Sequence, residues 1–288
     1  MEKSHPFVAV AVAGIVLTVL TSCTAQRVEK KDPPPPPPVS TLFSLTAPEL
    51  RTMVVDLPQP IQHAILSRPS EFLAALAVIL RQPAIYFTLV DKQHQLPTGY
   101  EPRDLVHLSR YGLSVSRKSL ALRKAVMSEV QAMVDAARAD HVGLLFSSTY
   151  RSFQTQRFVY GREVRRYGKK VADRESAEPG HSQHQMGTTV DFGCICNNFA
   201  NTTAFKWLEK HAWKYGFSMT YPKGFEGITG YRYEPWHWHY ITAAGTSAQR
   251  DFFEDIQQYL LIYINENQAL LVSSYQGANL GPGWNPGA

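Results

Sequence analysis

His184, Asp191, Glu234, His237 and His239 fall in two short segments of a 288-residue chain, and these are residue types that hold divalent cations. The first segment, Pro179 to Asp191, reads Pro-Gly-His-Ser-Gln-His-Gln-Met-Gly-Thr-Thr-Val-Asp. The second, Tyr233 to Tyr240, reads Tyr-Glu-Pro-Trp-His-Trp-His-Tyr. A catalytic zinc takes three protein ligands and leaves its fourth position to water. His184, Asp191 and His237 make such a set, because two imidazoles and one carboxylate suit the borderline-soft Zn²⁺ better than Mg²⁺ or Ca²⁺. Glu234 stands three residues before His237, close enough to reach a metal-bound water without being a ligand, so it serves as general base and then general acid.

The elements around these residues follow from what they must do. Neither segment has the helical H-E-x-x-H spacing, so strand pairing has to bring the ligands together. Both segments carry β-branched or aromatic residues that favour strands, and Gly187 supplies a turn between His184 and the strand bearing Asp191. A lone histidine is more often a hydrogen-bonded structural residue than a ligand. The constellation argues the other way.

Five blocks between residues 86 and 241 carry a resemblance. They are Leu89-Val-Asp-Lys through Tyr100 and its following Pro-x-Asp-Leu, Ser147-Ser-Thr-Tyr-Arg-Ser through Gln156, Pro179 to Asp191, Trp207 through Tyr221-Pro, and Glu234-Pro-Trp-His237. In this order they resemble the VanY-type zinc D-alanyl-D-alanine carboxypeptidases, within the wider group of peptidases related in fold to lysostaphin and hedgehog. The resemblance implies an α+β fold, with a small antiparallel sheet carrying the zinc site and helices flanking it. It implies Zn²⁺ on His184, Asp191 and His237, with Glu234 as the base. It also implies a peptidoglycan stem peptide as substrate, losing its C-terminal D-amino acid, with Arg151 on the free carboxylate and Gln156, Ser182 and Tyr221 as further substrate contacts. A guanidinium fork suits that first task, since it grips a carboxylate through two parallel charge-assisted bonds.

The same fold and ligands serve LD-carboxypeptidases, DD-dipeptidases and wall endopeptidases, and a non-catalytic zinc-binding wall lipoprotein is a further alternative. An intact Glu234 argues against the last, since a structural site needs no base. Three positions depart from the family pattern: Gln183 where Glu is common, Thr189 where Ala usually sits, and His239 where an Arg usually follows. His237 and His239 lie two apart on a strand and face one side. In lysostaphin-like relatives the second histidine of such a pair binds the metal. Glu234 three residues ahead favours His237 here, leaving His239 beside the site or toward substrate.

The rest of the chain is expected to divide as follows. Residues 1–22 read as a lipoprotein signal peptide, with an apolar run from Phe7 to Leu20 and a lipobox-like Leu20-Thr-Ser before the lipidated Cys23. Residues 23–39 are a charged and polyproline linker, whose Pro33–Pro38 run spans roughly 19 Å as a polyproline II spacer. Residues 40–85 form a helical extension, with Ser70 as a candidate cap. The peptidase domain covers 86–264: an extended Tyr86–Val90, a long helix Ser116–Asp140, a buried strand Gly143–Thr149, a helix Phe153–Tyr167, a helix Asn201–Gly216 with Trp207 and Trp213 in the core, a strand Phe217–Tyr221, a loop Gly224–Gly230 and a last helix Ser247–Asn265. Residues 265–288 read as a loose tail. For Cys194 and Cys196, a disulfide, an accessory metal site and two free thiols are all open, with buried unpaired thiols the default. The formal charge of +5 suits an anionic cell wall or membrane surface as well as ordinary solubility. The expected setting is an exported lipoprotein, anchored to a membrane by lipid and facing the periplasm or cell wall. No nucleic-acid partner is expected, and the oligomeric state is left open.

Overall fold

The computed structural model describes residues 36–284; the signal segment 1–22, Cys23 and the first prolines of the linker lie outside them. The described chain opens on a hairpin of β1 (Pro38–Ser40) and β2 (Phe43–Thr46), so Pro38 and Val39 belong to a strand rather than to a spacer. Thr46 caps α1 (Ala47–Met53) through a capping box with Glu49, and α2 (Gln59–Ser67) and α3 (Pro69–Leu80) follow. Ser70 lies inside α3 and does not cap it; its hydroxyl donates to the Val39 carbonyl at 3.0 Å. Phe72 of α3 packs against Phe252, Phe253 and Tyr263, with ring centroids 5.1, 6.0 and 5.4 Å away. The N-terminal helices therefore share one apolar core with the C-terminal ones.

Three expected elements are rearranged by tertiary partners. Tyr86 and Phe87 end a 3₁₀ turn, Ala84–Phe87, rather than opening an extended strand. The long helix expected from Ser116 is cut short. After β3 (Leu105–His107) the chain forms β4 (Ala121–Arg123), paired antiparallel to β3, and only then α4 (Met127–Ala139). Ala121 donates to Thr149 Oγ1 at 3.0 Å and accepts from the Tyr150 amide at 3.0 Å, partners that no helix could offer it. The last helix is also two, α9 (Thr242–Phe252) and α10 (Gln257–Ser274). Glu254 and Asp255 take positive φ of 53° and 59° between them, and the Gln249 amide holds the Asp255 carbonyl and carboxylate at 2.8 Å. Since α10 runs to Ser274 and Trp284 is buried with its indole on the Gln82 carbonyl at 2.8 Å, residues 265–284 are not a loose tail.

The central sheet contains β5 (Phe146–Ser148), β6 (Thr189–Phe192), β7 (Phe217–Met219) and β8 (His237–Tyr240), antiparallel throughout in the order β5-β6-β8-β7. Between β5 and β6 runs a helical hairpin, α5 (Phe153–Tyr167) and α6 (Lys169–Glu175). Thr202 caps α7 (Thr203–His211), which continues as a 3₁₀ turn to a left-handed Gly216. Trp207 is buried, while Trp213 is only half-buried. The Gly224–Gly230 loop contains a single helical turn, α8 (Glu226–Thr229). With helices flanking a small antiparallel sheet, the fold is α+β.

Candidate active site

Pairing of β6 with β8 sets Asp191 directly opposite His237 and Thr189 opposite His239. His184 arrives from a 3₁₀ turn, Gln183–Met186, which ends at Gly187 with φ +72°. A Cβ at Gly187 would be strained by this conformation and would crowd Arg123 Cγ and Leu105 Cδ2, each 3.1 Å away. One donor atom from each of His184, Asp191 and His237 lies within 4.8 Å of the others. His184 Nε2 is 3.2 Å from Asp191 Oδ2, and His237 Nδ1 is 3.2 Å from Asp191 Oδ1.

The chemistry of these three groups is that of a cation site. His184 Nδ1 can only donate to the Thr149 carbonyl, 2.7 Å away, so its Nε2 carries the lone pair. That Nε2 and Asp191 Oδ1 are both buried with no hydrogen-bond partner among the described residues. Burial, reinforced by the nearby Arg151 charge, drives the His184 pKa down to about 4, which keeps the imidazole neutral. For Asp191, burial opposes ionisation, but His184 and His237 together outweigh it and hold the carboxyl well below its usual range. A neutral His184 and an ionised Asp191 are in the forms a zinc ion requires.

Glu234 Oε2 stands 3.7 Å from His237 Nδ1, and its backbone amide is fixed on the Tyr221 carbonyl at 3.1 Å. Burial, with the Asp191 charge adding to it, raises the Glu234 pKa well above the ordinary carboxylate range. His239 is fully buried one step along β8. It contacts Gln257 Oε1 at 3.2 Å and Thr188 Oγ1 at 3.1 Å, and it takes no part in the three-residue cluster. Burial lowers its pKa to about 3.

These groups open into a cleft of about 500 Å³, walled on one side by the sheet and on the other by α5 and the segment after α6. Arg151 lies in it with its donors partly engaged: Nε to Ser148 Oγ at 3.3 Å, one terminal nitrogen to Gln156 Oε1 at 2.9 Å and the other to Asp191 Oδ2 at 3.2 Å. A guanidinium has five N–H groups, so one on each terminal nitrogen is left over. Gln156 is buried, and its amide nitrogen is held by the Ala177 carbonyl at 2.7 Å, so both ends of this side chain are engaged within the protein. Ser182 and Tyr221 line the cleft, and the Tyr221 ring lies 4.7 Å from the His237 ring.

Other cleft residues carry no sequence signal. Arg117, Glu175 and Arg232 reach the wall from three separate segments. Behind the cleft, Thr149 belongs to the Ser147-Ser-Thr-Tyr-Arg-Ser block, but its part in orienting His184 shows only in its carbonyl. Cys194 and Cys196 form a disulfide on an exposed turn rather than a pair of buried thiols. An extended strand would hold their Cα atoms about 6.6 Å apart, at the upper edge of disulfide geometry, but β6 ends at Phe192, Gly193 turns with φ +62°, and the Cα atoms come within 5.3 Å.

Comparison with known proteins agrees with this geometry. Residues 119–243 match the family described as VanY, D-alanyl-D-alanine carboxypeptidase. The putative carboxypeptidase YodJ of Bacillus subtilis (strain 168) is 34% identical over 187 residues, covering 62% of this chain and 68% of that protein. Among solved structures, the LdcB LD-carboxypeptidase superposes with a TM-score of 0.54 at 34% identity, over 62% of this chain and 84% of its own. A variant of the vancomycin-resistance D,D-pentapeptidase VanY, in complex with Zn(II), superposes with a TM-score of 0.51 at 25% identity, over 62% and 99%. The cofactor is zinc, which the buried His-Asp-His donors fit. Likeness of sequence, shared fold and donor chemistry converge, and the chain belongs to the VanY D-alanyl-D-alanine carboxypeptidase family of zinc metallopeptidases.

Proposed function

We propose that this protein removes the C-terminal D-amino acid, D-alanine, from peptidoglycan stem peptides, with His184, Asp191 and His237 holding zinc. The observation that carries the reading is the pairing, in one cleft, of a buried carboxyl beside the donor cluster with an arginine that has two N–H groups to spare. Zinc, when bound, acts as a Lewis acid and makes water acidic enough to be deprotonated near neutral pH. Arg151 directs its two free N–H groups at the substrate's terminal carboxylate, while Ser182 and Tyr221 border the last residue. Glu234 takes the proton from the attacking water and returns it to the leaving amine. In this reading Gln156 acts mainly by holding Arg151 in place.

A second reading, LD-carboxypeptidase activity on a tetrapeptide, is favoured by the LdcB neighbour, whose identity of 34% exceeds the 25% of the zinc-bound VanY structure. Incubation with muropeptides of tetra- and pentapeptide length, free or amidated at the C-terminus, separates the two. Loss of one residue from the free pentapeptide alone supports the D,D reading, and cleavage of amidated substrate rules out a carboxylate clamp. Glu234→Gln should lower turnover roughly 10²- to 10⁴-fold while sparing zinc content. Unchanged turnover would remove Glu234 as the base. The same reading keeps the enzyme outside the cytoplasm, tethered through lipid on Cys23. Radiolabelled fatty acid should enter the wild type and not a Cys23→Ser variant.

A further inference from the structure

A run of polar side chains, buried together behind the zinc donors, begins at His237. Its Nε2, the nitrogen turned away from Asp191, lies 3.1 Å from Gln183 Oε1. Gln183 Oε1 is in turn 3.0 Å from Thr220 Oγ1, which is 3.3 Å from Gln257 Oε1. Gln257 Oε1 is 3.2 Å from His239 Nδ1, and His239 Nε2 ends the run on Thr188 Oγ1 at 3.1 Å. Gln183, Thr220, Gln257, His239 and Thr188 are each at most 2% exposed, so bulk solvent does not reach them and their partners are one another.

Proton counting gives this run a direction. Two amide carbonyls face Thr220, yet a hydroxyl has one hydrogen. Gln257 Nε2, meanwhile, is buried with no partner among the described residues. The two ends of an amide have nearly the same shape, and an unmet NH₂ costs more than an unmet carbonyl, so the Gln257 amide is satisfied when turned. Its NH₂ then donates to Thr220 Oγ1 and to His239 Nδ1, and His239 donates from Nε2 to Thr188. The Thr220 hydrogen is left for Gln183 Oε1. That commits the Gln183 carbonyl to face His237, where it can only accept.

We propose that Gln183, locked by Thr220, is a positioning residue that fixes His237 as the Nε2–H tautomer and so keeps the Nδ1 lone pair aimed at the zinc position. The inference rests on the reading of His237 as a zinc ligand. Were the Gln183 amide free to turn, its NH₂ would donate to Nε2 and leave the proton on Nδ1, where Asp191 Oδ1 at 3.2 Å would accept it and coordination would be blocked. The neutral amide also fixes the ring without adding a second buried negative charge next to Asp191, as a carboxylate at this position would.

The tautomer is read directly by long-range ¹H–¹⁵N correlation in metal-free protein, with the His237 signals assigned through a His237→Gln variant. Wild type should show Nε2–H, and Gln183→Met a mixture or Nδ1–H. In chelator competition, Gln183→Met should bind Zn²⁺ about 10- to 100-fold more weakly. Gln183→Glu, which keeps the acceptor, should restore the tautomer. Thr220→Val removes only the hydroxyl, leaving the Thr220 amide on the His237 carbonyl at 3.2 Å, and should still weaken zinc binding several-fold, so it decides the matter if Gln183→Met does not fold. An Nδ1–H wild type, or unchanged tautomer and zinc affinity in Gln183→Met or Thr220→Val, overturns the inference. If His237→Gln itself leaves zinc affinity unchanged, the ligand reading fails instead.

Discussion

The two walls of the cleft are built differently. On the sheet side, all four residues of β6 and all four of β8 are buried, and every donor of the cluster is held by backbone pairing or a buried side chain. On the other side, the long α5 buries only Gln156 and α6 only Ala172. The hairpin is fastened by polar ties: Tyr160 to Asp173 at 2.5 Å, Arg174 to Glu226 at 2.7 Å, and Gln156 to the Ala177 carbonyl at 2.7 Å. Groups that must keep fixed distances sit where packing leaves no alternative. The wall that faces the body of a substrate hangs on a few polar ties, some of them open to solvent, and the low-stability end of a protein is where adaptable binding surfaces are found.

The contrast can be broken from the rigid side first. Asp191→Ala should leave almost no zinc in the folded protein by elemental analysis, against about one ion per chain in the wild type, and abolish turnover. Arg151→Lys, which touches both walls, should raise KM roughly 10- to 100-fold with a smaller change in kcat, because an ammonium cannot replace a fork. A pH test comes next. His239 has its pKa lowered to about 3 by burial, so in metal-free protein the unfolded chain binds a proton the native one refuses. Its contribution to stability is full above the unfolded value near 6.5 and is lost as pH falls toward 3. Denaturant titrations over that window should show a shallower acid loss in His239→Gln, by about one proton. The smallest effect should come from the hairpin. Arg174→Ala cuts an exposed tie and should leave global stability nearly unchanged. It should nonetheless speed hydrogen exchange in α6, with β6 and β8 unchanged.

How much of this was readable beforehand follows the same division. The donor cluster and Glu234 could be read off two segments because ligand chemistry restricts residue types, and strand pairing sets Asp191 beside His237. α5 ends where its periodicity and the following Gly168 say it should. What escaped depended on partners distant in sequence. Ala121 leaves a helical pattern because Thr149 and Tyr150 meet it. Glu254 and Asp255 break a continuous apolar stripe because Gln249 folds back on them. Gln183 could be seen as a departure from the family pattern, but only its neighbours Thr220 and Gln257 reveal what it holds.

The facing of Asp191 and His237 across one strand pair has a consequence for how such an enzyme can change. Side chains alternate along a strand, so a slip of one residue would turn a donor to the opposite face and dismantle the centre at once. Apart from β7, which pairs with β8, and Glu234, the stretch joining the two strands is under no such constraint, and it contributes the Cys194–Cys196 turn, Tyr221, Tyr231 and Arg232 to the region around the opening. Lengthening or trimming it re-cuts the mouth while the cation seat stays in frame, a division that lets one hydrolytic core be refitted to peptides of different length.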